Sequence, residues 1–380
     1  MRPRELRRRE SFDRILAETL SAGWTIQFGK PVSVTYGGAG QSWREQPLMG
    51  AIICTGAGLK VRQFIRDGFR HTPVRSRALL QWLVGTLATT PLGLRITCID
   101  SIRATPGIPN AADVVIVPGN RRVRVFDFST GKVRVFIKSG YDTSSIKTEV
   151  RLRGSGRQGP FPPIGSWDPE YRWFEEDILD AIPLPRCAAP EKRASSGEAA
   201  LRLMADWTRV SVRRVRASDY VEALERNLET AMRSLSERFA AVGLAWRREW
   251  VRALSVQATV SEYLELGPTH GDFQPGNILV DRHGPRVWIT DWEHSAERSI
   301  NYDHFVFTLQ SRSNVGLAQR LRSVSRNAHS SLAAFLLEDL LWFADESLAA
   351  PVVQPAEGLI QYLRELDTLG PRLDAVFAPR

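Results

Sequence analysis

The 380-residue chain carries 51 lysines and arginines against 42 aspartates and glutamates, a formal net charge of +9, and is 43% hydrophobic and 24% charged. That balance suits a globular protein with room for two or three cores and excludes a disordered or fibrous chain. The three cysteines, Cys54, Cys98 and Cys187, lack the paired spacing of a zinc site or disulfide framework. The stretch from Ala78 to Cys98 is broken by Gln81, Thr86, Pro91 and Arg95 well short of a membrane span. The basic start MRPRELRRRE leads into polar residues, not an apolar signal region, so a cytoplasmic location is expected.

In chain order, Phe12, Ile15, Leu16 and Leu20 recur at helical spacing and predict an amphipathic helix. WTIQF, PVSVTY and GAIICT then read as short strands, Val74 to Leu87 as a helix and LRITCID as a strand. Residues 1–110 therefore form an α/β extension whose role no motif discloses. From 111 the runs ADVVIVPGN, RRVRVFDF and VRVFIKSG predict three strands joined by tight turns. SSIKTEVRLR follows as a helix, and FPPIGSWDPEYRWFEEDIL contains two further strands, so 111–178 is a small sheet with one helix. Residues 179–380 are mostly helical, interrupted by a hairpin in which GNILVD and RVWITD flank RHGP. The fold class is α+β.

Chemistry concentrates in that hairpin and the turn before it. His270-Gly271-Asp272 is followed by Asn277, five residues after the aspartate, and by Asp291 at the end of the second strand. A hydroxyl nucleophile in phosphoryl transfer needs a carboxylate to orient it and accept its proton, and a triphosphate needs a divalent metal held by hard oxygens. Asp272 fits the first task, and Asn277 and Asp291 fit the second. Pro275 and Gly276 turn the chain so that Asn277 opens a strand, and the hairpin returns Asp291 beside it.

The residues HGDFQPGNILV and ITDWE resemble the signature of the aminoglycoside phosphotransferase and choline kinase superfamily. The resemblance covers about 111–310 and implies a two-lobed protein-kinase-like fold, a small antiparallel sheet lobe plus a mainly helical lobe, with ATP and Mg²⁺ as cofactors. It makes His270 a catalytic-loop residue that braces the loop and does not act as the base. It also asks the small lobe for a lysine on the phosphates and a helical glutamate to hold it, for which Lys138 and Glu149 have the right order. Gly119 and Asn120, in the turn between the first two strands, are candidates for covering the phosphates and equally read as an ordinary hairpin. Glu176, Asp177 and Ile178 stand where the inter-lobe hinge would meet adenine, and Glu293, two residues after Asp291, is a further candidate for metal or substrate. Asp303 is expected to brace the catalytic loop.

These features point to a phosphotransferase acting on a hydroxyl of a small molecule or glycan, with a sugar-like or amino-alcohol acceptor. The alternative is a catalytically weak pseudokinase or scaffold. After Asp303 the acids stand singly among arginines such as Arg312 and Arg320, which favours a neutral or anionic sugar over a polycationic aminoglycoside. The arginine-rich surface carries no nucleic-acid motif and leaves room for peripheral contact with an anionic membrane or glycan.

Overall fold

A computed structural model describes residues 3–47, 50–69, 75–154, 159–312, 316–321, 329–348 and 357–369. Val74, the expected start of a helix, lies outside them. The chain divides into two compact units, Met1–Arg193 with Val280–Arg286 and Ala194–Leu279 with Val287–Arg380.

The first unit opens with α1 (Pro3–Arg9) and α2 (Phe12–Phe28). The predicted apolar face of α2 is buried at Phe12, Ile15, Leu16 and Leu20. WTIQF is not a strand: Trp24 continues the same face one turn on, and the helix stops where Gly29 takes a left-handed φ of 63°. Three strands follow, β1 (Ser33–Thr35), β2 (Gln41–Gln46) and β3 (Ala51–Cys54), then three helices, α3 (Leu59–Phe69), α4 (Arg75–Ala88) and α5 (Pro91–Thr97). LRITCID is split between α5 and β4 (Ile99–Thr105), because Pro91 at the first helical turn and the Thr90 hydroxyl, which accepts from Gly93 N, start a helix there. The remainder runs β5 (Val114–Pro118), β6 (Arg122–Asp127), β7 (Lys132–Ile137), α6 (Ser144–Arg153), β8 (Ile164–Trp167) and β9 (Trp173–Asp177), as the meander, helix and two strands read from sequence, followed by a further strand, β10 (Ala181–Pro183), that the sequence reading does not contain.

Nine of these strands form one sheet in the order β1-β4-β2-β3-β5-β6-β7-β9-β8. The boundary expected at 110/111 falls inside it, since β3 pairs with β5 through Ile52↔Ile116 and Ile53↔Val115. One core joins both parts: Phe12, Leu16, Leu20 and Trp24 of α2 pack with Trp43 and Ile102 of the extension and with Ile116, Val123 and Phe136 of the small lobe. Elsewhere in the unit α6 packs Ile146 and Val150 with Val133, Val135 and Phe174. Side chains alternate along a strand, so β7 presents Val133 and Val135 to α6 and Phe136 to α2.

In the second unit, α7 (Pro190–Arg209), which begins in the first unit, leads to β11 (Arg213–Arg216), α8 (Ala217–Arg238), α9 (Ala240–Ala245) and α10 (Arg248–Ala258). Then come β12 (Tyr263–Thr269), the hairpin β13 (Ile278–Asp281) and β14 (Val287–Ile289), and β15 (Ala296–Ser299). The chain continues through α11 (Tyr302–Thr308), α12 (Leu317–Leu321), α13 (His329–Leu348) and α14 (Glu357–Leu369). Its core gathers Leu228 and Met232 of α8, Leu254 of α10, Phe335 and Leu340 of α13 and Leu363 of α14. β11, β12 and β15 make a three-stranded antiparallel sheet, and β12 leads into His270-Gly271-Asp272. Among the described residues no helix is long and apolar enough to cross a membrane, and the three cysteines are unpaired.

Lys138 follows β7 on the Phe136 side, where its ammonium pairs with Glu10, the side chains 0% and 1% exposed. The Tyr141 hydroxyl donates to the other Glu10 oxygen at 2.7 Å. Burial pushes the lysine below its ordinary range even against Glu10. Removing one member of a buried pair strands the other, at a cost of about 3–5 kcal/mol, whereas replacing both with apolar groups is often neutral. Glu10→Leu should therefore lower the urea midpoint of unfolding sharply, and adding Lys138→Met should restore most of it. A midpoint unmoved by Glu10→Leu would show that the pair does not hold α1 and α2 to the sheet.

Candidate active site

The loop after β12 is fixed by one buried carboxylate. Asp303, in the first turn of α11, accepts from His270 N at 2.6 Å and from Gly271 N at 3.0 Å. Burial pushes its carboxyl above the ordinary range, against the two amide donors and the nearby His270 and Arg298. Gly271 is required by its φ of +86°, and a Cβ there would lie 2.2 Å from the carbonyl oxygen of His294.

His270 is fully buried, with Nε2 2.8 Å from the carbonyl oxygen of Thr290 and Nδ1 3.1 Å from Asp272 N. The carbonyl can only accept and the amide can only donate, so the ring carries its proton on Nε2. Both ring nitrogens of His270 are engaged within the loop and the hairpin. Its ring meets Trp292 edge-on at 4.7 Å.

Asp272 is thereby held in the loop with its side chain 14% exposed. Its Oδ2 accepts from Gln274 Nε2 at 2.9 Å and Asn277 Nδ2 at 3.0 Å, and its Oδ1 from Arg312 Nε at 3.0 Å. Asn277 Nδ2 also reaches the Asp272 carbonyl at 2.9 Å, so the amide nitrogen is directed at Asp272 and the amide oxygen away from it. The Asn277 carbonyl accepts from Thr290 N at 2.9 Å, which sets Asp291, the next residue, beside Asn277 across the hairpin. Asp291 has a left-handed φ of 68°, uncommon for a non-glycine residue and characteristic of functional turns. Glu293 lies next along the chain, 3.5 Å from His294 Nε2, whose other carboxylate neighbour is Glu346 at 3.5 Å. Burial lowers the His294 pKa, but Glu346, Glu293 and Asp272 outweigh it and hold the ring above its ordinary value.

The loop's cation, Arg312, was not singled out from sequence as a site residue. Forty positions beyond Asp272, it also pairs with Asp339, donates to Tyr302 Oη and to the Gly271 carbonyl at 3.0 Å each, and lies 3.6 Å from the ring centroid of Trp342. Nothing in local spacing announces it.

In the first unit the expected pairing of Lys138 with Glu149 does not form. Glu149 is buried between Arg122 and Arg153, and Arg153 also binds Glu176. Burial raises the Glu149 pKa, but the two guanidiniums outweigh it and hold the carboxyl below its ordinary value. For Glu176 burial wins, and its carboxyl lies above the ordinary value. The cation on the helical glutamate is thus Arg122 of β6, which pairs in register with Ile137 of β7, while Lys138 lies on the opposite side of the sheet with Glu10. At the turn before β6, Gly119 N donates to the Arg122 carbonyl at 2.8 Å and Asn120 accepts from Arg9 at 3.2 Å. Of the hinge candidates, Ile178 N–H is taken by the Gly131 carbonyl at 2.8 Å, Asp177 by Lys132 at 2.6 Å, and the Glu176 carboxylate by Arg153.

Truncating Asp303 leaves two buried backbone N–H groups without an acceptor, at about 1–3 kcal/mol each. Asp303→Ala should lower stability by that sum and speed amide exchange at His270 and Gly271. Unchanged exchange at both amides would contradict the bracing role.

Residues 171–309 match the phosphotransferase enzyme family APH. None of the curated proteins matches the chain in sequence. Among solved structures the chain is similar to a choline/ethanolamine kinase family protein from Mesorhizobium loti, at 16% identity over 79% of this chain and 100% of that one, with a TM-score of 0.45. It is also similar to aminoglycoside phosphotransferase APH(4)-Ia in ternary complex with ADP and hygromycin B, at 13% over 70% and 95%, TM-score 0.46. For an ethanolamine kinase of Plasmodium vivax the figures are 11% over 84% and 98%, TM-score 0.45. The matched residues 171–309 hold the HGD loop, Asn277 and Asp291, so the similarity to the phosphotransferase enzyme family lies in the segment that carries the candidate site.

Proposed function

We propose that the protein transfers the γ-phosphoryl group of ATP, with Mg²⁺, to a hydroxyl of a small sugar-like or amino-alcohol acceptor. The reading is supported by the braced loop that holds the Asp272 carboxylate, with Asn277 bonded to it and Asp291 set across the hairpin from Asn277. Asp272 orients the acceptor hydroxyl and takes its proton as the acceptor oxygen bonds to phosphorus and the bond to the β-phosphate oxygen breaks, releasing ADP. Arg312 acts through Asp272 by fixing its carboxylate.

The Asn277 amide oxygen and the Asp291 carboxylate fit a hard cation. An ion held by these two groups would take the rest of its shell from phosphates and water. When bound, Mg²⁺ would neutralise charge developing on the phosphate oxygens. We assign to Arg122, held by Glu149, the phosphate-binding task expected of Lys138. An adenine edge at the hinge would have to use groups other than Ile178 N–H.

The acceptor is better read as neutral or anionic than as polycationic. In the C-terminal segment Glu338 binds Ser299 and Tyr220, Asp339 binds Arg312 and Tyr302, and Glu365 binds Gly316 N and Gln361. These three acids are engaged inside the fold and are not offered to ammonium groups, whereas Glu346 stands with Glu293 against His294, near Asp272.

A second reading, nucleotide binding without turnover, is favoured by the absence of a lysine on Glu149. Kinetics separate the two. Asp272→Asn should lower kcat by about 10²–10⁴ while leaving the Kd for ATP nearly unchanged. Parallel loss of binding and rate would make Asp272 structural. On the nucleotide side, Arg122→Gln should raise KM for ATP, whereas the Glu10→Leu, Lys138→Met pair should not. A rise confined to the Lys138 variant would return the phosphate role to that lysine.

A further inference from the structure

We propose that α4 and α5 of the first unit form a membrane-docking element, which seats an apolar helical face on the surface of an anionic lipid bilayer. The sequence of α4 is inverted relative to a helix of a soluble domain. Leu79, Leu80, Leu83, Val84 and Leu87 share one face at i, i+1, i+4, i+5 and i+8, and all five are exposed, Leu87 to 65%. The face turned inward carries small or polar residues instead, with Gly85 and Ala88 buried and Gln81 half-buried. On α5 the pattern continues, since Leu92 and Ile96 are exposed, Ile96 to 74%, while Leu94 alone enters the core. Trp82, also exposed, adds an amphipathic ring of the kind that settles at the boundary between lipid and water.

Charge selects the occupant. From Leu59 to Ile99 the sequence contains seven lysines and arginines and one acid, Asp67. Asp67 lies 3.9 Å from Arg66 and 3.7 Å from Arg282, so it does not offset the other cations. α3, which carries Lys60, Arg62 and Arg66, packs against α4, and exposed Arg95 adjoins Ile96 on α5. Leucine and tryptophan beside basic residues are the composition of helices that lie in the plane of an anionic bilayer. A second copy of the chain would bring two cationic rims together and is disfavoured. At 14 residues α4 is about 21 Å long, shorter than the ~30 Å hydrocarbon core, and it is not a spanning helix.

The test uses the full chain with vesicles of phosphatidylglycerol and phosphatidylcholine, and with phosphatidylcholine alone, in 0.1 M salt. Sedimentation should show binding at least about tenfold stronger to the anionic vesicles, weakening as salt is raised. Leu83→Glu with Leu87→Glu should reduce that binding by about tenfold or more while leaving the thermal midpoint unchanged, because both side chains are already in water. Quenching by brominated lipid should fall in Trp82→Phe relative to the parent. Absence of vesicle binding by the parent chain, or equal binding by the double variant, would overturn the proposal. So would concentration-dependent self-association, abolished by the double variant, in a parent chain that ignores vesicles, since the face would then be a contact between copies.

Discussion

The buried carboxylate of Asp303 is the constraint on which the candidate active site depends. By accepting from two successive amides it fixes the backbone of His270 and Gly271. That in turn lets one imidazole tie Asp272 N to the Thr290 carbonyl, which immediately precedes Asp291. The candidate proton acceptor and the candidate metal ligand are therefore linked through a single imidazole. Only glycine can stand at 271, since any side chain would run into the His294 carbonyl. Arg312 completes the loop from a distant part of the chain and is held in turn by Asp339 and Trp342.

A different principle organises the first unit. Its sheet is continuous from extension to small lobe, and α2 closes one face of it with residues from both. Ion pairs are buried in each direction: Glu10 with Lys138 toward α2, and Arg122, Glu149, Arg153 and Glu176 in series around α6. Such pairs cost desolvation and add little net stability, so their value lies in fixing geometry. Residues 1–110 are accordingly part of the core of the first unit and share its sheet. The Arg9 contact to Asn120 carries the extension as far as the turn considered for phosphate binding.

Much of this was legible in the sequence, and the failures have physical causes. The proximity of the HGD loop, Asn277 and Asp291 was readable because their offsets are set by one hairpin. Glu149 was correctly placed on a helix, but its cation was misassigned. Strand alternation held the answer: Val133, Val135 and Ile137 share the α6 face, so Lys138 must lie on the other. WTIQF looked like a strand by composition, while Trp24 continued a helical repeat begun at Phe12. Arg312 left no trace, because its partners come together only through packing of α11 and α13 around the loop.

Phosphate transfer to an alcohol at the HGD loop can be read by mass spectrometry of a panel of sugars, glycan fragments and amino alcohols after incubation with the protein, ATP and Mg²⁺. At least one acceptor should gain a single phosphate on a hydroxyl, in step with ADP release and only when Mg²⁺ is present. ATP bound by the protein with no acceptor modified and no ADP released would contradict this function.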